Sequence, residues 1–117
     1  MLLFMKKKYS LKRNEEIAKI VHRQKFIKDN IFVIYYVKNE KMDHARICIS
    51  VSKKNGNAVI RNKIKRQIRE MVTSIFDFNQ NIDYVIIVRN DFLKNSFSVN
   101  QEKLNQLYVK IISNYKE

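Results

Sequence analysis

Hydrophobic positions change their period several times along the chain, and each period predicts an element. From Ile31 to Val37 the run IFVIYYV is apolar without a gap and rich in β-branched and aromatic residues, which predicts a strand with both faces covered or partly covered. Phe32, Ile34 and Tyr36 would point one way, and Ile31, Val33, Tyr35 and Val37 the other. The polar stretch Lys38 to His44 is long enough for a hairpin connection. After it ARICISVS alternates, with Ile47, Ile49 and Val51 inward and Arg46, Cys48, Ser50 and Ser52 outward. The period then lengthens. At ~100° per residue, Ile60, Ile64, Ile68, Met71, Val72 and Ile75 fall on one stripe of a helix from Ala58 to about Ile75. Phe76 to Asn81 is a loop and Tyr84 to Arg89 a third strand. Asn90 to Phe97 holds either a short edge strand around Phe97 or only a loop.

The ends carry shorter signals. Asn14 offers an N-cap with Glu15 and Glu16 in the first turn, opening a helix with Ile17, Ile20 and Val21 on its apolar side and an end near His22 to Lys25. Ser98 with Gln101 three residues on reads as a capping box. The helix it opens would carry Leu104, Leu107, Tyr108, Ile111 and Tyr115 on one stripe. Met1 to Arg13 has no pattern beyond Lys6-Lys7-Lys8 and is expected to be a mobile arm, with Met5 as an alternative start. The resulting order α-β-β-α-β-(β)-α is an α+β sandwich, helices against one sheet, and 117 residues make it one domain.

Charge narrows the class of partner. Lys and Arg number 24 against 11 Asp and Glu, a net +13 that favours polyanions, so nucleic acid and anionic membrane are both candidates. No apolar run approaches a membrane span, and MLLFM is too short for a signal-peptide core, so the expected compartment is the cytoplasm. Cys48 is alone, with no CxxC or Cys/His spacing around it. Disulfide and zinc readings therefore have no support, and a buried or half-buried thiol is expected.

The charge is concentrated in ISVSKKNGNAVIRNKIKRQIRE, Ile49 to Glu70. Seven cations, Lys53, Lys54, Arg61, Lys63, Lys65, Arg66 and Arg69, precede its first acid, and it holds the chain's only glycine, Gly56. A strand should run into a tight basic turn from which the helix leaves. Asn57 would be the N-cap, with Gly56 just ahead of it where a positive φ costs least. Arg61, Lys65 and Arg69 follow one another at i, i+4, i+8 along one shoulder of the apolar stripe. Asn62 and Arg66 form a second row. Like charges at that spacing repel unless a polyanion joins them. On the sheet, the small outward residues of one strand beside the aromatic face of its neighbour would make a shallow trough. Such a trough seats a single strand of nucleic acid by stacking, with little regard for sequence.

The run SVSKKNGNAVIRNKIKRQIRE resembles, almost residue for residue, the signature of the bacterial ribonuclease P protein subunit: a GNA turn followed by the helix R-N-x-x-K-R-x-x-R. LKRNEEIAKIV is similar to that family's first helix and DYVIIVRN to its third strand, so the resemblance covers most of the chain. It implies a fold like the second domain of ribosomal protein S5, with a left-handed crossover through the basic helix. It implies that Asn57, Arg61, Asn62, Lys65, Arg66 and Arg69 meet a catalytic RNA, with Lys53 and Lys54 close by. The 5′ leader of precursor tRNA would lie across a trough made by Val33, Tyr35 and Ser50, walled by Ile17 and Val21. The family often has phenylalanine at both helix positions and an arginine where this chain has Asn30. Magnesium ions would be held mainly by the RNA, and no obligate protein partner or membrane is implied.

The residues alone offer no hydrolytic centre. A protein nuclease needs clustered carboxylates or a histidine pair, whereas the acids here are scattered and His22 and His44, both expected on the surface, share no spacing. A ribosomal or general RNA-chaperone protein would use the same basic helix without a dedicated catalytic RNA. A DNA-binding helix-turn-helix factor would need two adjacent helices about a short turn, and here a strand precedes the basic helix.

Overall fold

Asn57 starts the longest helix where the pattern places it. Its Oδ1 accepts the Ile60 N–H at 3.0 Å, and helix α2 runs Ala58–Ile75. Gly56 has φ +137°, in a region L side chains avoid. A methyl group there would meet Ile60 Cγ2 at 2.9 Å, so the close approach of turn and helix also requires glycine. The computed structural model describes residues 6–115. In chain order these form α1 (Asn14–His22), β1 (Phe26–Lys28), β2 (Phe32–Lys38), β3 (Arg46–Ser50), α2, β4 (Ile82–Val88) and α3 (Phe97–Ser113), with single 3-10 turns at Lys7–Tyr9, Lys53–Asn55 and Asn90–Lys94.

The four strands form one sheet in the order β1-β2-β4-β3. β2 pairs antiparallel with both β1 and β4, whereas β3 and β4, joined through α2, are parallel. The expected hairpin between β2 and β3 does not form, because β4 inserts between them. The fourth strand is β1, ahead of β2, and the region around Phe97 is the first turn of α3 instead.

Alternation sorts each strand between two apolar clusters. Phe32, Ile34 and Tyr36 of β2, Ile47 of β3 and Tyr84, Ile86 and Val88 of β4 face the main core with Ile64, Ile68, Met71 and Val72 of α2 and Leu104, Leu107, Tyr108 and Ile111 of α3. The other face is smaller. Val85 is buried there with Ile20 of α1 and Leu11, and Ile17, Val21, Tyr35, Val37, Cys48 and Ile87 pack around them. At roughly 25 cal/mol per Å² of apolar area removed from water, the main face supplies most of the folding free energy. The α1 face is held more lightly, and a salt bridge reinforces it.

Several expectations are corrected. Ile31 lies in the main core, not on the face of Tyr35: it precedes the strand, in a turn where Asp29 Oδ1 accepts the N–H groups of Ile31 and Phe32, each at 2.8 Å. The N-cap of α1 is Arg13 and Asn14 is already helical, because the preceding chain is anchored on β3. Ser96, not Ser98, caps α3 by accepting the Val99 N–H, and Gln101 instead donates to Ser74 Oγ of α2 at 3.1 Å. Residues 6–13 are not a free arm. Ser10 bridges Ile47, the Leu11 N–H donates to Ile47 O at 3.0 Å, Leu11 is buried and Tyr9 stacks on Phe78 at 4.5 Å. Met1 to Met5, the rest of the expected arm with its alternative start, lie outside the described residues. His44 is half-buried rather than on the surface: its Nε2 donates to Lys8 O at 2.9 Å and its Nδ1 meets Asp43 Oδ1 at 2.8 Å.

Candidate nucleic-acid interface

Two surfaces meet along β3. The first is the basic turn and helix. Lys53, Lys54, Asn57, Asn62, Lys63 and Arg66 are exposed, and Arg61, Lys65 and Arg69 are half-buried, with their stems against the protein. Among the described residues none of these cations takes part in an ion pair. The rows are not equivalent, however. Arg61 Nη1 donates to Gly56 O at 3.1 Å, so Arg61 ties the turn to the helix, whereas Arg66 stands free in the solvent. Asn57 Oδ1 is engaged in capping, which leaves its amide NH2 as the group to offer outward.

The second surface is the outer face of the sheet. Register places Val33 opposite Ile87 and Ile87 opposite Ser50, and Tyr35 opposite Val85 and Val85 opposite Cys48. Tyr35 therefore does not stand beside Ser50 or Cys48, because one strand of β4 separates them. The expected trough is wider by that strand: half-buried Ile87 belongs to its floor, whereas Val85 is covered by α1. Ile17 and Val21 of α1 pack against the cluster containing Tyr35 and Ile87, so all five trough residues expected from the sequence share this face. The trough runs across the strands, roughly 14 Å from one edge of the sheet to the other at ~4.8 Å per strand. Its two sides differ chemically. Burial pushes the Cys48 thiol up from its ordinary pKa, and the positive charge of Lys65 works against that rise. At the β3 side the chain runs directly from Ser50 into the basic Lys53–Asn55 turn and on into α2.

The wall α1 is fixed by a salt bridge that pattern reading did not reveal. Arg46 donates to both oxygens of Asp83, Nε at 3.1 Å and Nη2 at 2.8 Å, and to Glu16 of α1 through Nη2 at 2.8 Å. Asn39 Nδ2 donates to Asp83 Oδ2 at 3.0 Å. The hydrogen bond from Arg46 holds the Glu16 carboxyl below the ordinary carboxylate range, and Asp83, ahead of Glu16, raises Arg46 further above its ordinary value. Arg46 lies 30 positions from Glu16 and 37 from Asp83, so no local signal could join them.

A model of the Ribonuclease P family matches residues 5–112. The chain belongs to the ribonuclease P protein family. The ribonuclease P protein component of Mesoplasma florum is 47% identical over 110 residues, covering 92% of this chain and 99% of the relative. The ribonuclease P protein of Staphylococcus aureus superposes with a TM-score of 0.80 at 36% identity, covering 89% of this chain and 94% of that one. That of Thermotoga maritima gives 0.71 at 31% identity, covering 84% and 94%. The α+β architecture is therefore that of ribonuclease P proteins, and the helix-turn-helix reading falls away, since a strand and a 3-10 turn precede α2. Among the described residues no helix is long and apolar enough to cross a membrane.

Proposed function

We propose that this chain is the positioning subunit of a ribonuclease P holoenzyme, docking the catalytic RNA with the turn and helix around Lys53 to Arg69 and holding the 5′ leader of precursor tRNA in the trough. The observation that carries the proposal is the continuity of unpaired cations on α2 with an open, partly aromatic sheet face. A polyanion relieves the repulsion between Arg61, Lys65 and Arg69 and releases its own counterions. Guanidinium and ammonium groups on a rigid helix fix register more than sequence. The trough then adds a term that depends on an unpaired strand being present. A base stacked on an aromatic ring contributes about 1–3 kcal/mol, enough to separate precursor from mature tRNA.

Among the described residues no three His, Cys, Asp or Glu side chains are grouped so as to hold a metal ion. The proposal leaves the magnesium ions of the reaction with the RNA. The chain's own work is to bind, orient and align. The test is reconstitution. RNA-free protein with precursor tRNA and magnesium should give no mature 5′ end, and adding the protein to the catalytic RNA should restore cleavage at low magnesium. Specific cleavage by RNA-free protein, or no effect of the protein on the RNA's reaction, would overturn the proposal.

A further inference from the structure

The trough does not end at Tyr35. Strand β1 follows α1 through Gln24, whose φ of 56° turns the chain back along β2. Phe26 then pairs with Tyr35 and Lys28 with Val33, while Ile27 between them packs into the main core. Phe26 and Lys28 thus stand on the trough face and extend both of its rows by one strand. The Phe26 ring lies 5.2 Å from the Tyr35 ring at an interplanar angle of 45°, yet 43% of the residue remains exposed. It remains open because α1 stops at His22. A single exposed hydrophobic residue is ordinary on a protein surface. This one differs because it continues an aromatic floor at an open sheet edge, with an exposed lysine next on the same face.

We propose that Phe26 is a second stacking platform for the leader, with Lys28 holding the adjoining phosphate, so that the sheet seats one more unpaired nucleotide than Tyr35 alone could hold. The inference rests on the proposed function. α2 and β3 lie at the opposite edge of the sheet from β1, and α2 is the element that docks the catalytic RNA. The leader therefore leaves the RNA across β3 and β4, reaches Tyr35 on β2, and meets Phe26 with a nucleotide farther from the cleavage site. An aromatic ring serves there for any base, which makes the subsite sensitive to leader length and tolerant of leader sequence.

The experiment measures affinity of reconstituted holoenzyme for mature tRNA and for precursor tRNAs whose leaders lengthen one nucleotide at a time. With native protein, affinity should rise in two steps. Tyr35→Ala should remove the gain that begins with the shorter leaders. Phe26→Ala should remove only the later gain, by about fivefold or more, leaving short-leader and mature substrates unchanged. Phe26→Trp should keep it, and Lys28→Ala should weaken it with a shallower salt dependence. If Tyr35→Ala shows the leader-dependent loss and Phe26→Ala does not, the second platform is refuted while the trough stands. If neither variant shows such a loss, the trough and the platform fail together. An equal loss for all substrates with Phe26→Ala, or a loss with Phe26→Trp as large as with Phe26→Ala, makes Phe26 a packing residue and refutes the proposal.

Discussion

Replacing Arg46 with Met separates the fold's stability from the placement of the trough wall. The guanidinium serves two carboxylates in different surroundings: the side chain of Asp83 is 4% exposed and that of Glu16 34%. Without Arg46, Asp83 keeps only the Asn39 amide as a side-chain donor, and breaking a buried pair from one side costs about 3–5 kcal/mol. Glu16 can rehydrate, so its share is at most about 1 kcal/mol. The predicted loss is therefore about 3–5 kcal/mol, a large part of the 5–15 kcal/mol typical of a domain. Urea melts should show it as a lower midpoint, Glu16→Gln should cost far less, and adding Asp83→Leu to Arg46→Met should recover part of the loss. The pH dependence follows from Glu16. Its folded-state pKa lies below the ordinary 4.5, so the stability it contributes is fully present above that value and disappears as pH falls through the lowered one. Glu16→Gln should flatten that acid limb. A loss below about 1 kcal/mol for Arg46→Met, or equal losses for Arg46→Met and Glu16→Gln, would refute the reasoning.

Other consequences concern the basic turn and helix. Arg66→Ala should weaken binding to the catalytic RNA by about 1–3 kcal/mol, reduce the salt slope by about one and leave the melting point unchanged, as salt titrations and thermal melts can show. Arg61→Ala should reduce both affinity and stability, because it also loses the bond to Gly56 O. Gly56→Ala should destabilise by about 1–3 kcal/mol, from its φ of 137° and the contact with Ile60, and a denaturant melt with unchanged stability would contradict that.

Legibility in the sequence followed the range of the signal. Helix α2 was legible to the residue because a glycine, an amide cap and a long 3.6-residue period lie together. Strand faces were legible for β2 and β3 because one apolar cluster claims every second side chain. Sheet order was not, since the placement of β4 between β2 and β3 depends on a crossover that no local pattern encodes. β1 escaped because three residues give too short an alternation, and with it went Phe26. Two serines competed to cap α3, and the choice was made by Phe97, which packs against the main core as the first helical residue. The cationic residues of the candidate site could be read from spacing. Their inequality could not, because it rests on which arginine reaches back to Gly56.

Tyr35 offers the most direct test of the division of labour between helix and trough. Two binding isotherms with assembled holoenzyme, one for leader-bearing precursor and one for mature tRNA, would be compared between native protein and Tyr35→Ala. The account predicts a loss of about 1–3 kcal/mol for the precursor, with affinity for mature tRNA and for the catalytic RNA unchanged. Equal losses for both tRNA forms would contradict it, leaving Tyr35 as packing for α1 and the trough without a substrate.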